Sequence, residues 1–461
     1  METAVPAAGG TYGRGAAILS LGIGATGLMT YAYFSLASHS LSASDYGGIS
    51  LLWSVVFITV NVLYRPVEQL LSRTIADRDA RRRQGNEHLR IAATIQLVVA
   101  VVFAGLALAV RRPVEDHLFG GSNTLYVILL VTVLAYAASY FARGFFAGHR
   151  WFGYYGGLML LEATSRFTFS LAVALGIASG RLVVALGIAA APIVSLSVLP
   201  WALARRLATH GHGRMSRSRP FARDASGAAP DTEIGNSAAV ATEPTIAPDQ
   251  TEDPTFTLAR GVGFAGPVLL VMLSEQTFLN AGPLVVKATE GAGGAALAGF
   301  TFNVLLIARA PLQLFQAVQT SILPHLTRLK ITGASDTFRR SVTITIGGVA
   351  GLAVAMMFLM LAAGPQVMAV LFGSKFHYSR AGLAMIALGM GFYLAAATLN
   401  QAALAAGRAR QAAACWVASA FAFVAFLALP ALDDRVLQVE IGYLGGAVLL
   451  CALLYRLYRR D

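Results

Sequence analysis

Apolar residues run along this chain in unbroken stretches, each closed by a short polar or glycine-rich break. About twelve such stretches, each about 20 residues long, suit the thickness of a bilayer's hydrocarbon core when wound as helix. They fall at roughly 15–38, 46–70, 91–110, 123–142, 156–178, 183–203, 260–282, 295–316, 341–363, 381–399, 411–429 and 437–455. Strands of a membrane barrel would alternate apolar with polar residues and would be far shorter, which excludes that architecture. The pattern predicts an all-α polytopic membrane protein.

Residues 204–259 interrupt the pattern. A basic start (Arg205, Arg206, Arg214, Arg217, Arg219, Arg223) gives way to Ala, Pro, Ser, Thr, Gly and acidic residues, which cannot bury a core. This segment reads as a disordered cytoplasmic linker between an N-terminal six-helix lobe, 1–203, and a C-terminal six-helix lobe, 260–461. The lobes look like a parallel repeat. Arg14-Gly15 opens one and Arg260-Gly261 the other, Asp45-Tyr46-Gly47 corresponds to Glu290-Gly291, and Pro66 to Pro311. Ala147-Gly148-His149-Arg150 resembles Ala406-Gly407-Arg408-Ala409-Arg410 in the same way. Six helices per lobe place both lobes the same way up, about an axis along the membrane normal, with a substrate path between them.

The composition agrees: 461 residues, 56% hydrophobic and only 13% charged, with a mean hydropathy of +0.64. A net charge of +12 could suggest nucleic acid, but its placement argues otherwise. With a cytoplasmic N-terminus, the outer loops keep only Arg111, Arg112, Arg181, Lys287, Lys375, Arg380 and Arg435, and most other basic residues fall inside. That is the positive-inside bias, with both termini cytoplasmic. The basic residues are scattered over many loops, so no nucleic-acid partner is expected. Two cysteines, Cys415 and Cys451, provide neither a disulfide framework nor metal spacing. Gly22-Ile-Gly24-Ala-Thr-Gly27 and Gly261-Val-Gly263-Phe-Ala-Gly266 match a dinucleotide fingerprint, but neither follows a strand, and in membrane helices they read as close-packing faces. No Walker sequence and no nucleophile–base pair appears, so the expectation is a non-enzyme without cofactor or metal.

Charge inside the spans carries the candidate chemistry. Arg65, Glu68, Glu162, Arg166, Glu275 and Arg309 lie well within predicted helices, where a charge costs about 2.5–3.5 kcal/mol unless it is paired or lines a watery cavity. Glu162 and Arg166, four apart, are expected to form a structural ion pair. Arg65, Gln69 and Ser72 share their spacing with Arg309, Gln313 and Gln316, and each set sits beside a proline, Pro66 or Pro311. This matched pair of bent, polar helices points to a substrate site made by Arg65, Gln69, Arg309 and Gln313. Guanidinium forks suit phosphate because they make paired charged hydrogen bonds and stay protonated. Glu68 and Glu275 are the acids placed for ion coupling.

Several motifs resemble a known family. Gly13-Arg14-Gly15, Leu41-Ser-Ala-Ser-Asp45-Tyr46-Gly47, Glu68-Gln-Leu-Leu-Ser-Arg73, Arg143-Gly144-Phe-Phe-Ala-Gly148, and Arg309-Ala-Pro311 leading to Leu323-Pro324-His-Leu-Thr-Arg328 are similar to polysaccharide transporters of the multidrug/oligosaccharidyl-lipid/polysaccharide (MOP) flippase superfamily. The resemblance implies a MATE-like fold of two six-helix lobes around a central cavity. It also implies flipping of polyprenyl-pyrophosphate-linked glycans in the bacterial cytoplasmic membrane, for cell-surface polysaccharide synthesis. The lipid II flippase branch keeps cavity arginines, and Arg14, Arg65 and Arg309 are similarly placed. The expected partners are the lipid-linked glycan, membrane lipid and glycan-synthesis machinery, with the chain acting as a monomer. The alternative reading is a cation-coupled (H+ or Na+) drug or metabolite antiporter, which Glu275 favours and the lack of an acid in the first span opposes.

Overall fold

The computed structural model describes residues 9–80, 85–202, 204, 258–331 and 335–459. Among them lie twelve long helices: α1 (Gly9–Ser40), α2 (Ala43–Leu63, continued as Arg65–Ala80), α3 (Glu87–Ala109), α4 (Asn123–Gly148), α5 (Phe152–Ala174), α6 (Arg181–Ser195), α7 (Leu258–Glu290), α8 (Gly294–Ile331), α9 (Ser335–Phe372), α10 (Arg380–Ala405), α11 (Ala409–Ala428) and α12 (Arg435–Arg459). No strand occurs among the described residues. Among those residues, nine helices are long and apolar enough to cross a bilayer by themselves. Most of the 204–259 segment lies outside the described residues.

Helix ends explain most departures from the hydropathy pattern. The apolar window near 341–363 belongs to the 38-residue α9, whose first turns carry Asp336, Arg339 and Arg340. At 1.5 Å per residue such a helix is about 57 Å long, well beyond the roughly 30 Å hydrocarbon core. Serine N-caps begin α2, α4 and α10: Ser42 accepts from Asp45 N–H, Ser122 from Leu125 N–H and Ser379 from Gly382 N–H.

The second span is interrupted next to Pro66. Helical geometry lapses at Tyr64, and the Arg65–Ala80 segment resumes when Glu68 N–H reaches the Tyr64 carbonyl at 3.0 Å. Pro66 has no N–H to offer the carbonyl four residues earlier, at Val62, which breaks the ladder there.

Equivalent helices pack alike in the two lobes. α1 packs on α5 and α7 on α11, while α4 and α10 each touch the second, third and sixth helices of their own lobe. The lobes meet chiefly where α2 packs against α7 and α8. At the end formed by the α1–α2 turn, this contact is tight and polar. Ser38 donates to the Phe372 carbonyl at 2.6 Å, and Lys375 donates to the carbonyls of Ser38, His39 and Leu41, closing off the last turn of α1. The buried Tyr46 hydroxyl bonds to Asn303, whose amide nitrogen donates to Tyr378 at 3.1 Å. Gly47 lies so close to α8 that a Cβ there would collide with the Ala295 carbonyl.

Candidate functional site

Towards the opposite end lies a small open cleft, lined among the described residues by the C-terminal lobe and by Arg65 of the N-terminal lobe. Its polar lining is Arg65 from α2, Glu275 from α7, Tyr393, Asn400 and Gln401 from α10, and Trp416 from α11. Arg65 sits at the first position after the α2 break, so the bend fixes where its guanidinium enters. The Glu275 carboxylate comes from the other lobe, and it acts electrostatically on Arg65, as does Glu68 one turn along α2. An acid with no base within three turns on its own helix thus finds its counter-charge across the lobe boundary.

Glu68 lies deeper in the N-terminal lobe, where Tyr155 of α5 donates to it at 3.0 Å. Nearby, Glu162 holds a buried network. Its carboxylate accepts from Arg143 at 2.5 Å and from Ser139 at 2.9 Å, with Arg166 at 4.0 Å. Arg166 also donates to the Tyr136 hydroxyl at 3.0 Å and lies over the Trp53 ring, 4.8 Å from its centre. Arg143 is therefore the nearer partner of Glu162, although Arg166 shares its helix. Sequence reasoning ended the fourth span at 142, which left Arg143 in a loop; α4 instead continues to Gly148. Gly144 in that extension lets α4 pack closely on α2, since a Cβ there would come within 2.8 Å of the Glu68 carbonyl.

The expected site residues separate in space. Arg309 donates to the Leu279 carbonyl at 2.5 Å and to Asn280 Oδ1 at 2.8 Å, over the face of Phe302. These partners come from its own lobe, and Arg309 does not line the cleft that holds Arg65. Gln69 lies one turn beyond Arg65 and is also outside the lining. Arg14 and Gln313 are on α1 and α8, but their side chains lie outside the described residues. The cleft residues Tyr393, Asn400, Gln401 and Trp416 were not anticipated. Their signal was an Asn400-Gln401 pair just past the apolar run ending near 399, easily read as a helix end at the membrane surface.

The family described as "Polysaccharide biosynthesis protein" matches residues 12–225, just under half of the chain. A multidrug resistance MATE family transporter of the MOP superfamily, in an inward-facing conformation, has the same fold, with a TM-score of 0.64, 12% identity, and 96% of this chain and 97% of that chain covered. The N-terminal half of this chain thus resembles the polysaccharide biosynthesis family, and its fold is the MATE fold. A second solved structure with this fold is the Vibrio cholerae MATE transporter VcmN in its bent form, with a TM-score of 0.54, 15% identity, and 97% of this chain and 98% of that chain covered. An outward-facing MATE transporter of the superfamily aligns with a TM-score of 0.58 at 14% identity, over 97% of this chain and 95% of that one. Among curated proteins, none matches the chain.

Proposed function

We propose that the protein carries a polyprenyl-pyrophosphate-linked glycan from the inner to the outer leaflet of the cytoplasmic membrane, for cell-surface polysaccharide synthesis. The supporting observation is Arg65, which enters a cleft between the lobes of a chain whose first half matches a polysaccharide biosynthesis family. The phosphate of such a lipid would replace the Glu275 carboxylate on the Arg65 guanidinium. The positive-inside bias orients the cleft towards the cytoplasm, where the glycan lipid is made, and turns the sealed α1–α2 end outward.

The test is flipping of a fluorescent polyprenyl-pyrophosphate glycan in proteoliposomes. A charge-assisted bond contributes roughly 1.5–3 kcal/mol, so Arg65→Ala should weaken substrate binding about ten- to a hundredfold. Arg65→Lys keeps the charge without the fork and should recover only part of the loss. Full activity of Arg65→Ala would remove the phosphate role.

One observation favours a second reading, cation-coupled drug or metabolite antiport: an acid, Glu275, lines the cleft of a fold shared with multidrug MATE transporters. Counterflow of a cationic drug that depends on Glu275, without glycan-lipid flipping, would establish it instead.

A further inference from the structure

The cleft has two chemically different walls. One side is charged, with Arg65 from α2 and Glu275 from α7, whereas α10 supplies neutral polar groups: Tyr393, Asn400 and Gln401 lie along one broad face of the helix at steps of seven and one. Ala397, between them on the same face, is small enough to leave room.

These groups are buried yet not fully used. Gln401 is 7% exposed and its Oε1 has no hydrogen-bond partner. The Tyr393 hydroxyl, on a residue 1% exposed, faces the Glu275 carboxylate as a loose hydrogen-bond neighbour and keeps its lone pairs free to accept. Trp416 donates its indole N–H to Asn400 Oδ1 at 3.1 Å. An indole nitrogen only donates, so this bond fixes the amide's orientation and leaves its NH2 as a donor. Buried polar atoms are nearly always satisfied, and unsatisfied ones that line a cavity mark where a ligand or water completes them. Together, an amide donor, an amide acceptor and a hydroxyl beside aromatic rings match a ring bearing several hydroxyl or acetamido groups.

We infer that this α10–α11 wall is a sugar subsite, which reads the uncharged sugar joined to the phosphate held by Arg65. The inference rests on the glycan-flippase reading and adds to it where specificity is set. Charge on one wall takes the anion common to all such lipids, and amides on the other distinguish one first sugar from another.

Binding to the purified protein of two probes separates the parts: undecaprenyl pyrophosphate without sugar, and undecaprenyl pyrophosphate carrying a single N-acetylhexosamine. Gln401→Met keeps the side chain's length and removes its amide. It should weaken the sugar-bearing probe by roughly tenfold and leave the bare pyrophosphate unchanged. Tyr393→Phe is a second, milder variant with the same expected pattern, and bare-probe binding reports that each variant is folded. Arg65→Ala should weaken both probes. If Gln401→Met and Tyr393→Phe change neither probe, or both equally, the subsite is refuted while the phosphate reading stands. If wild-type protein binds neither probe, both readings fall.

Discussion

The Glu162 network gives the sharpest energetic prediction. Glu162, Arg143 and Arg166 are 4%, 7% and 3% exposed, so none can turn to water if its partner is removed. At equal dielectric, Coulomb energy falls as the reciprocal of distance, so the 2.5 Å contact to Arg143 outweighs the 4.0 Å contact to Arg166 by about 1.6-fold. Only the shorter contact is also a hydrogen bond. Removing one member of a buried pair costs about 3–5 kcal/mol, because the remaining charge is stranded. Glu162→Leu strands two guanidinium groups and should lie at or above the top of that range. Arg143→Met leaves Glu162 with Ser139 and the more distant Arg166 and should fall near the lower end. Arg166→Met should cost least, since Glu162 keeps its best partner.

The assay is the temperature at which the purified protein loses its monodisperse peak in detergent, measured by fluorescence-detected size-exclusion chromatography. The double variant Arg143→Met with Glu162→Leu should be more stable than the sum of the single losses, because it leaves one stranded charge rather than two. If Arg166→Met proves more damaging than Arg143→Met, or if the two losses in the double variant simply add, the pairing argument fails. The network also positions the cleft. Arg143 and Gly144 are adjacent on α4, and Gly144 packs on the backbone of Glu68, one turn after Arg65. Loosening α4 should therefore also reduce Arg65-dependent binding.

Two further outcomes are expected. Gly47→Val puts a side chain where the Ala295 carbonyl lies, so it should prevent closure of the α1–α2 end. The thiol introduced by Tyr46→Cys or Asn303→Cys would then react with an impermeant outer reagent in Gly47→Val far more than in a Gly47 background; equal labelling would show that this contact is no seal. Glu275→Gln removes the carboxylate that competes for Arg65, and should tighten binding of undecaprenyl pyrophosphate severalfold while flattening any dependence of transport on pH or sodium. Weaker binding would instead make Glu275 a group that positions Arg65.

The helices were legible from the sequence because each carries its own signal: apolar length, a serine cap, or a proline at the bend in α2. Contacts between helices were not. Glu162 and Arg166 are four apart, so their proximity could be read along one helix, but Arg143 approaches from α4 and nothing local reveals that. Matched spacing suggested that Arg65 and Arg309 do the same job. Spacing fixes the face of a helix but not what that face meets, and Arg309 meets the Leu279 carbonyl, Asn280 and the Phe302 ring. The unpartnered oxygen of Gln401 was invisible for the same reason, because burial and satisfaction are properties of the packed state.

The two lobes share a packing plan but not a distribution of charge, and this difference bears on transport. In the N-terminal lobe, α4 and α5 carry Arg143, Glu162 and Arg166, which bond to one another away from the cleft. In the C-terminal lobe, the same two places in the plan are held by α10 and α11, which present Asn400, Gln401 and Trp416 to the cleft. Among the described residues, the charged side chains lining the cleft are Arg65 and Glu275, one from each lobe and of opposite sign. Arg65 and Glu275 attract one another across the cleft, whereas an anion on Arg65 leaves Glu275 uncompensated. In a site shielded from water, that second negative charge is costly until a cation or proton arrives or the lobes separate. Binding of the anion would then weaken the attraction that holds the two walls in place. The amides of α10 carry no charge into this balance, so neutral substitutions on that wall leave it undisturbed.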